Sequence, residues 1–424
     1  MTLRKTYVWI GISILIAVSF VICLQYTFHY GGTDLRCRMV GSRLLKEGKS
    51  PYFFKWQETD PAWLLDSNDN PDRKVNGNVV TPALLLLNEP LAGFSYGYIR
   101  IGWTVLQYLF IIGAIVGVAG FSIATSRNVF WLLLICLFSN IWFFNIERGQ
   151  TYALYTGLFS LIYCIYNSKA RHNHLIAGIL AGLCIWIRPL FVCIHIPFVL
   201  NRNYRWIMGS IAGFVTGVFI FFLPFRPAWQ QYSEAMKYYG LEAVGKVNVL
   251  PSGKHLTIPP VIEGVSNITK CVTDFNAGGL ANMQQYASRF GVVLSSVQLM
   301  AGFALLLICI LLPYYRKFGT APAINTNQLF MLAFLFYMLS ELFIVGNRGA
   351  YNLVEWIFGT ALILCFTERK YSALILAIAG LCCMNGLPFI FRFQYTIGEL
   401  CMLAAALVFI FQQPAVPKQP LSMA

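Results

Sequence analysis

Long apolar runs separated by short basic stretches dominate the 424-residue chain. The first run, from Tyr7 to about Tyr30, follows Arg4 and Lys5. It is too long for a signal-peptide core and ends in Gln25-Tyr26-Thr27-Phe28-His29-Tyr30 with no small-residue cleavage site, so it is expected to remain as a first transmembrane helix. Further runs of spanning or near-spanning length lie at residues 98–120, 129–146, 150–167, 174–188, 189–201, 206–224, 291–313, 327–345, 351–366, 371–390 and 396–412. With the first they predict an all-α polytopic membrane protein of about 12 transmembrane helices, one integral-membrane domain over residues 1–424. Two readings stay open around Arg188-Pro189: two short helices meeting at the surface, or one helix broken by the proline.

Between the runs, charge orients the set, because short cytoplasmic loops are enriched in lysine and arginine. With Arg4 and Lys5 inside, the inner connections carry Arg127, Lys169 and Arg171, Arg202 and Arg205, Arg316 and Lys317, Arg369 and Lys370, and Lys418. Both termini are therefore expected in the cytoplasm. Two long connections, residues 30–97 and 225–290, then fall outside. The first predicts a basic helix over Leu35 to Glu47, a polar coil and an apolar stretch from Thr81 to Ser95. Pro82, Glu89 and Pro90 interrupt that stretch, which reads as re-entrant or interfacial because a span there would reverse every later loop. The second long connection sets Trp229, Tyr232, Met236 and Tyr239 at helical spacing among polar residues, as in an amphipathic helix lying along a membrane surface.

Composition fits this picture: 58% of residues are hydrophobic and 11% charged, and the mean hydropathy is +0.63. The formal net charge of +14 suits basic inner loops and anionic headgroups, so membrane lipids and not nucleic acid are the expected partners. Ten of the 12 cysteines lie in apolar runs as small hydrophobes. The other two, Cys37 and Cys271, fall in the long outer connections, where a disulfide between them and two free thiols are both open readings. No His or Cys cluster has metal-ligand spacing, so neither a metal nor another cofactor is expected.

Candidate chemistry gathers on the outer side. Asp34, in Gly31-Gly32-Thr33-Asp34-Leu35-Arg36, stands at the mouth of the first helix, either as a helix-capping acid or as a base acting on a lipid-borne substrate. Arg148, Arg188, Arg348 and Arg392 all sit at outer helix ends, against the positive-inside habit. One such arginine is most simply a residue snorkelling to the interface, whereas four on one side beside Asp34 suit a phosphate. Glu89 and Tyr52 are weaker candidates for sugar or acceptor contacts, and Glu341 reads as a structural ion-pair member seven residues before Arg348.

Asp34 after the first helix, Gly48, Pro51 and Tyr52 in a Gly-x-x-Pro-Tyr element, Gly149-Gln150 opening a middle helix, and Arg188-Pro189 after Gly178 and Gly182 occur in this order. In these features the chain resembles the C-type superfamily of integral-membrane glycosyltransferases, and within it glycosyltransferase family 87. The family more often has Lys-Pro where Arg188-Pro189 stands, and its Tyr-Pro-Pro element appears here only as Val80-Thr81-Pro82. The resemblance implies transfer of a sugar, typically mannose, from a polyprenyl-phosphate donor to a hydroxyl of a lipid or glycan acceptor, with inversion and usually without metal. It implies Asp34 as general base at an extracytoplasmic site, arginines on the donor phosphate, and Gln150 among the sugar or acceptor contacts. A transporter or flippase of an anionic lipid-linked sugar is the alternative, and it predicts ionisable residues near mid-membrane on discontinuous helices.

Overall fold

The protein is seen in a computed structural model that describes residues 2–29, 31–66, 74–122, 126–243, 282–318, 325–344, 348–367, 371–385 and 393–412. The described residues are all-helical, without strands. In chain order the helices are α1 (Thr2–His29), α2 (Thr33–Lys46), α3 (Pro82–Ala92), α4 (Tyr96–Gly120), α5 (Ser126–Leu137), α6 (Asn140–Arg148), α7 (Tyr152–Asn167), α8 (Asn173–Ile187) and α9 (His195–Leu200). There follow α10 (Tyr204–Gly217), α11 (Arg226–Ala243), α12 (Met283–Arg289), α13 (Ser296–Phe318), α14 (Thr326–Ile344), α15 (Trp356–Phe366), α16 (Ser372–Asn385) and α17 (Gln394–Gln412). Short 3₁₀ turns cover Pro189–Ile194 and Ala350–Glu355.

Each of the expected apolar runs carries helix in its described part, but they differ in reach. Six helices among the described residues are long and apolar enough to cross a membrane, and α5 with α6, bent by 55°, makes a seventh if counted as one span. Shorter apolar helices occupy Asn173–Ile187, Pro189–Leu200, Ala350–Phe366 and Ser372–Asn385. This is an integral membrane protein by fold. At Arg188 the backbone leaves α8 in an extended conformation and re-enters helix through the 3₁₀ turn, so the chain breaks at the proline.

The core forms around α14, which is buried at every position from Leu329 to Leu339. A helix apolar on all sides belongs in the middle of a bundle. α1, α10 and α13 instead leave large apolar side chains outward, among them Ile14, Ile211 and Leu305, as lipid-facing helices do. Helices α8 and α10 are joined by glycines on both partners. A Cβ on Gly182 would stand 2.2 Å from the Ser210 carbonyl oxygen, and one on Gly213 2.0 Å from that of Ile179. Small residues four apart let the two backbones touch, which is how helices associate without a hydrophobic drive between them.

α3 has 11 residues, about 16 Å at 1.5 Å per residue, too short to span. It packs on α2, as the reading of Thr81 to Ser95 as a non-spanning segment requires. The aromatic stripe of α11 differs from its expected role. Tyr232, Met236 and Tyr239 close over Tyr52, Val75 and Leu85, so part of that apolar face is spent on covering the first long connection. The Tyr239 hydroxyl donates to the Asn76 carbonyl, and the Tyr52 and Tyr232 ring centroids are 5.7 Å apart.

Candidate active site

Two helix ends build the region around Asp34, the start of α2 and the end of α6. Gly32 precedes α2 with φ +63°, a left-handed conformation that glycine adopts without penalty, and a Cβ there would lie 2.7 Å from Arg100 Nε. The turn sets Asp34 in the first turn of α2, where the helix dipole favours a carboxylate. From the other side α6 ends at Gly149, with φ +65°. The Gly149 amide donates to Ile146 and that of Gln150 to Asn145, the two bonds that close a helix on a left-handed glycine. This reversal presents the side chains on both sides of the glycine, Arg148 and Gln150, to the same carboxylate.

Arg148 meets Asp34 as a fork, Nε to Oδ2 at 3.0 Å and Nη2 to Oδ1 at 3.3 Å, and Gln150 Nε2 donates to Oδ2. Behind them Arg38, one turn after Asp34 on α2, donates to the Gly149 carbonyl at 3.0 Å and to Gln150 Oε1 at 2.5 Å. Trp103 Nε1 holds the Gln150 carbonyl at 3.1 Å. The Asp34 and Arg148 side chains keep 18% and 21% exposure, enough for a ligand to reach them. Arg100 lies beneath, donating through Nη2 to the carbonyls of Ile146 and Glu147.

Arg188 and Arg348 also come together, in a different setting. Arg188 Nη1 donates to Glu355 at 2.9 Å and Nη2 pairs with Glu341, while Arg348 forks onto Glu399 at 2.8 and 2.6 Å and stands 3.8 Å from Glu341. Tyr337 donates to Glu355 at 2.7 Å, and the Arg188 guanidinium lies 4.3 Å from the Tyr155 ring centroid and 4.9 Å from that of Tyr152. Glu341 and Glu355 are fully buried. Two arginines face three carboxylates, so the cluster has no surplus of positive charge. Glu341 is the ion-pair member expected from its place before Arg348.

The remaining candidates are scattered. Tyr52 is completely buried and donates to the Val80 carbonyl at 2.8 Å, which makes it a pin of the loop and leaves no ring face for a sugar. Glu89 lies at the surface, 3.7 Å from Lys46. Cys37 is buried in α2, and burial together with Asp66 pushes its thiol well above the usual range. Its suggested partner Cys271 lies outside the described residues, as does Arg392. Among the described residues no three His, Cys, Asp or Glu side chains gather as a metal ion would require.

Sequence reasoning passed over several residues of these sites. Arg38 follows Asp34 by four positions, on the same face of one helix, and that spacing was a usable signal. Arg100 is a further arginine at the start of a span on the side of Asp34, open to the same argument as Arg148. Thr81 had no signal: its hydroxyl caps α3, accepting from the Leu84 amide, and donates at 2.9 Å to the Ile187 carbonyl beside Arg188. Thr81, at the middle position of the Val80-Thr81-Pro82 element, thus ties the first connection to the break in α8.

An all-helical membrane bundle with an accessible carboxylate held among helix ends defines the class: an integral-membrane protein with a polar site at one end of its bundle. The chain belongs to glycosyltransferase family 87, whose family model matches residues 80–340. It is therefore a membrane glycosyltransferase by family. The matched region takes in Arg148, Gln150 and Arg188 but begins after Asp34. A comparison with the curated proteins finds no match.

Proposed function

We propose that the protein transfers a hexose, mannose in the first instance, from a polyprenyl-phosphate donor to a hydroxyl of a lipid or glycan acceptor, with inversion, on the extracytoplasmic side. The observation that carries the reading is the Asp34 carboxylate, accessible and aimed by Arg148 and Gln150, in a member of a glycosyltransferase family. Asp34 acts as general base. As the acceptor oxygen bonds to the anomeric carbon, its proton passes to the carboxylate, and the bond from that carbon to the phosphate oxygen breaks with its electron pair leaving on the lipid phosphate.

Arg148 is assigned the developing phosphate charge, since its planar fork matches phosphate as well as carboxylate. Arg188 and Arg348 enter as the frame behind the site: their donors are engaged by Glu341, Glu355 and Glu399, and a phosphate would have to displace one of these acids. Gln150 orients the base and borders the acceptor. The transporter alternative draws on the broken helix at Arg188 and its buried carboxylates; family membership weighs against it.

The test is transfer of labelled mannose from polyprenyl-phosphate-mannose to membrane lipid acceptors by purified wild type and Asp34→Asn, with folding of both checked by size exclusion. A well-folded variant whose turnover falls by about 10²–10⁴ supports Asp34 as base. Equal activity removes Asp34 from the mechanism. If neither protein transfers mannose, lipid-linked glucose, galactose and arabinose are tried as donors, and failure with all four sinks the reading.

A further inference from the structure

A cavity of about 770 Å³ opens between the C-terminal end of α1, one face of α2 and the turn that joins α3 to α4. Among the described residues three arginines line it, Arg36, Arg43 and Arg100, and no carboxylate does. Arg43 is fixed, its guanidinium donating to the carbonyls of Ala92, Trp63 and Phe94 at 2.8 to 3.1 Å. Arg100 is anchored from below by the bonds to Ile146 and Glu147. Arg36 differs from both: its guanidinium rests 5.8 Å from the centroid of the Tyr96 ring, and the acid that acts on it, Asp66, does not line the cavity. A half-buried guanidinium next to two further positive charges calls for an anion.

The mouth of the cavity shows where that anion comes from. Phe28 in the last turn of α1, Tyr98 in the first turn of α4 and Phe94 between α3 and α4 are 49%, 76% and 60% exposed. Since α1 and α4 are both long and apolar enough to cross the membrane, their adjoining ends lie where hydrocarbon meets headgroups. Exposed aromatics there suit acyl chains, and the arginines behind them suit a phosphate.

We infer that this cavity seats the phosphate-bearing headgroup of an anionic membrane lipid, with Arg36 as its direct ligand. The site is separate from the proposed catalytic centre. Positions 34 and 36 are about 200° apart around a helix, so Asp34 and Arg36 leave α2 on nearly opposite sides. The lipid held here is not the one whose phosphate leaves at Asp34, and the inference does not depend on the glycosyltransferase reading. Its effect on the enzyme would be to hold α2, and with it Asp34, against α4.

The test is retention of lipid by the full-length protein, measured by native mass spectrometry after exchange into defined mixtures of phosphatidylglycerol and phosphatidylcholine with identical chains. Wild type is expected to keep one phosphatidylglycerol in preference, and Arg36→Gln to weaken that preference by about tenfold, the effect of losing a charged hydrogen-bond ligand. Arg36→Lys, which keeps the charge without the fork, should fall between the two, and it carries the test if the glutamine variant does not fold. Equal retention by wild type and the folded Arg36 variants would overturn the site. Inorganic phosphate supplies the other arm: if millimolar phosphate displaces phosphatidylglycerol completely, the cavity recognises a soluble anion and the lipid assignment fails.

Discussion

Replacing Glu399 by Gln separates two roles for Arg348. The fork at 2.8 and 2.6 Å lies between side chains that are 0% and 5% exposed, and the substitution removes the charge while keeping the shape. Breaking a buried pair by removing one partner costs about 3–5 kcal/mol. Glu341, 3.8 Å from Arg348, takes up part of the uncovered charge, and glutamine keeps one acceptor, so about 3 kcal/mol is expected. An unfolding entropy of about 2.1 cal/mol/K per residue sums to about 0.9 kcal/mol/K over the chain, and the loss then lowers Tm by about 3 °C. Thermal unfolding followed by tryptophan fluorescence in detergent measures it. The double variant Arg348→Gln with Glu399→Gln should regain most of the loss, because a neutral pair of amides leaves no uncompensated charge. If Arg348 were instead a phosphate ligand held in reserve by Glu399, freeing it would leave Tm unchanged and lower KM for the lipid-phosphate donor. That pair of results would refute the framework role and return Arg348 to the site.

Two other substitutions probe how the scaffold holds the site. Gly182→Leu would drive a side chain into the Ser210 carbonyl, so α8 and α10 cannot close and the monodisperse size-exclusion peak should be lost. Thr81→Val removes both the cap on α3 and the bond to Ile187, which should lower stability by about 1–2 kcal/mol in the same thermal assay; an unchanged Tm would deny Thr81 its linking role.

What could be read in the sequence and what could not divides along the range of the interactions. The apolar runs, the break at Arg188-Pro189 and the non-spanning stretch after Thr81 are local consequences of hydropathy and proline, and each has its counterpart in the fold. The grouping of Asp34 with Arg148 and Gln150 was legible only in part: a glycine between an arginine and a glutamine marks a helix end, but the left-handed turn that aims both side chains at one carboxylate is a tertiary fact. The partners of Arg188 and Arg348 were least legible. Glu355 is 167 positions from Arg188, and hydropathy carries no information on which of several rare acids will share a buried pocket with a given base. Tyr52 misled for a related reason, since the amphipathic face expected to lie on the membrane is drawn partly onto the loop that contains it.

The two arginine settings differ in their charge balance. Around Arg188 and Arg348, three carboxylates against two guanidiniums in a buried setting create a lock among helices distant in sequence, of the kind that breaks when one member is removed. Around α2 the balance is reversed: Arg36, Arg38, Arg43, Arg100 and Arg148 lie on or beside one short helix, against the acids Asp34, Asp66 and Glu147. A region so arranged gains by admitting anions, and it is built from helix ends that glycines at 32 and 149 hold in conformations other residues resist. The positive surplus and the accessible carboxylate therefore belong to one end of the bundle, and the balanced network ties the end of α8 to α14 and α17.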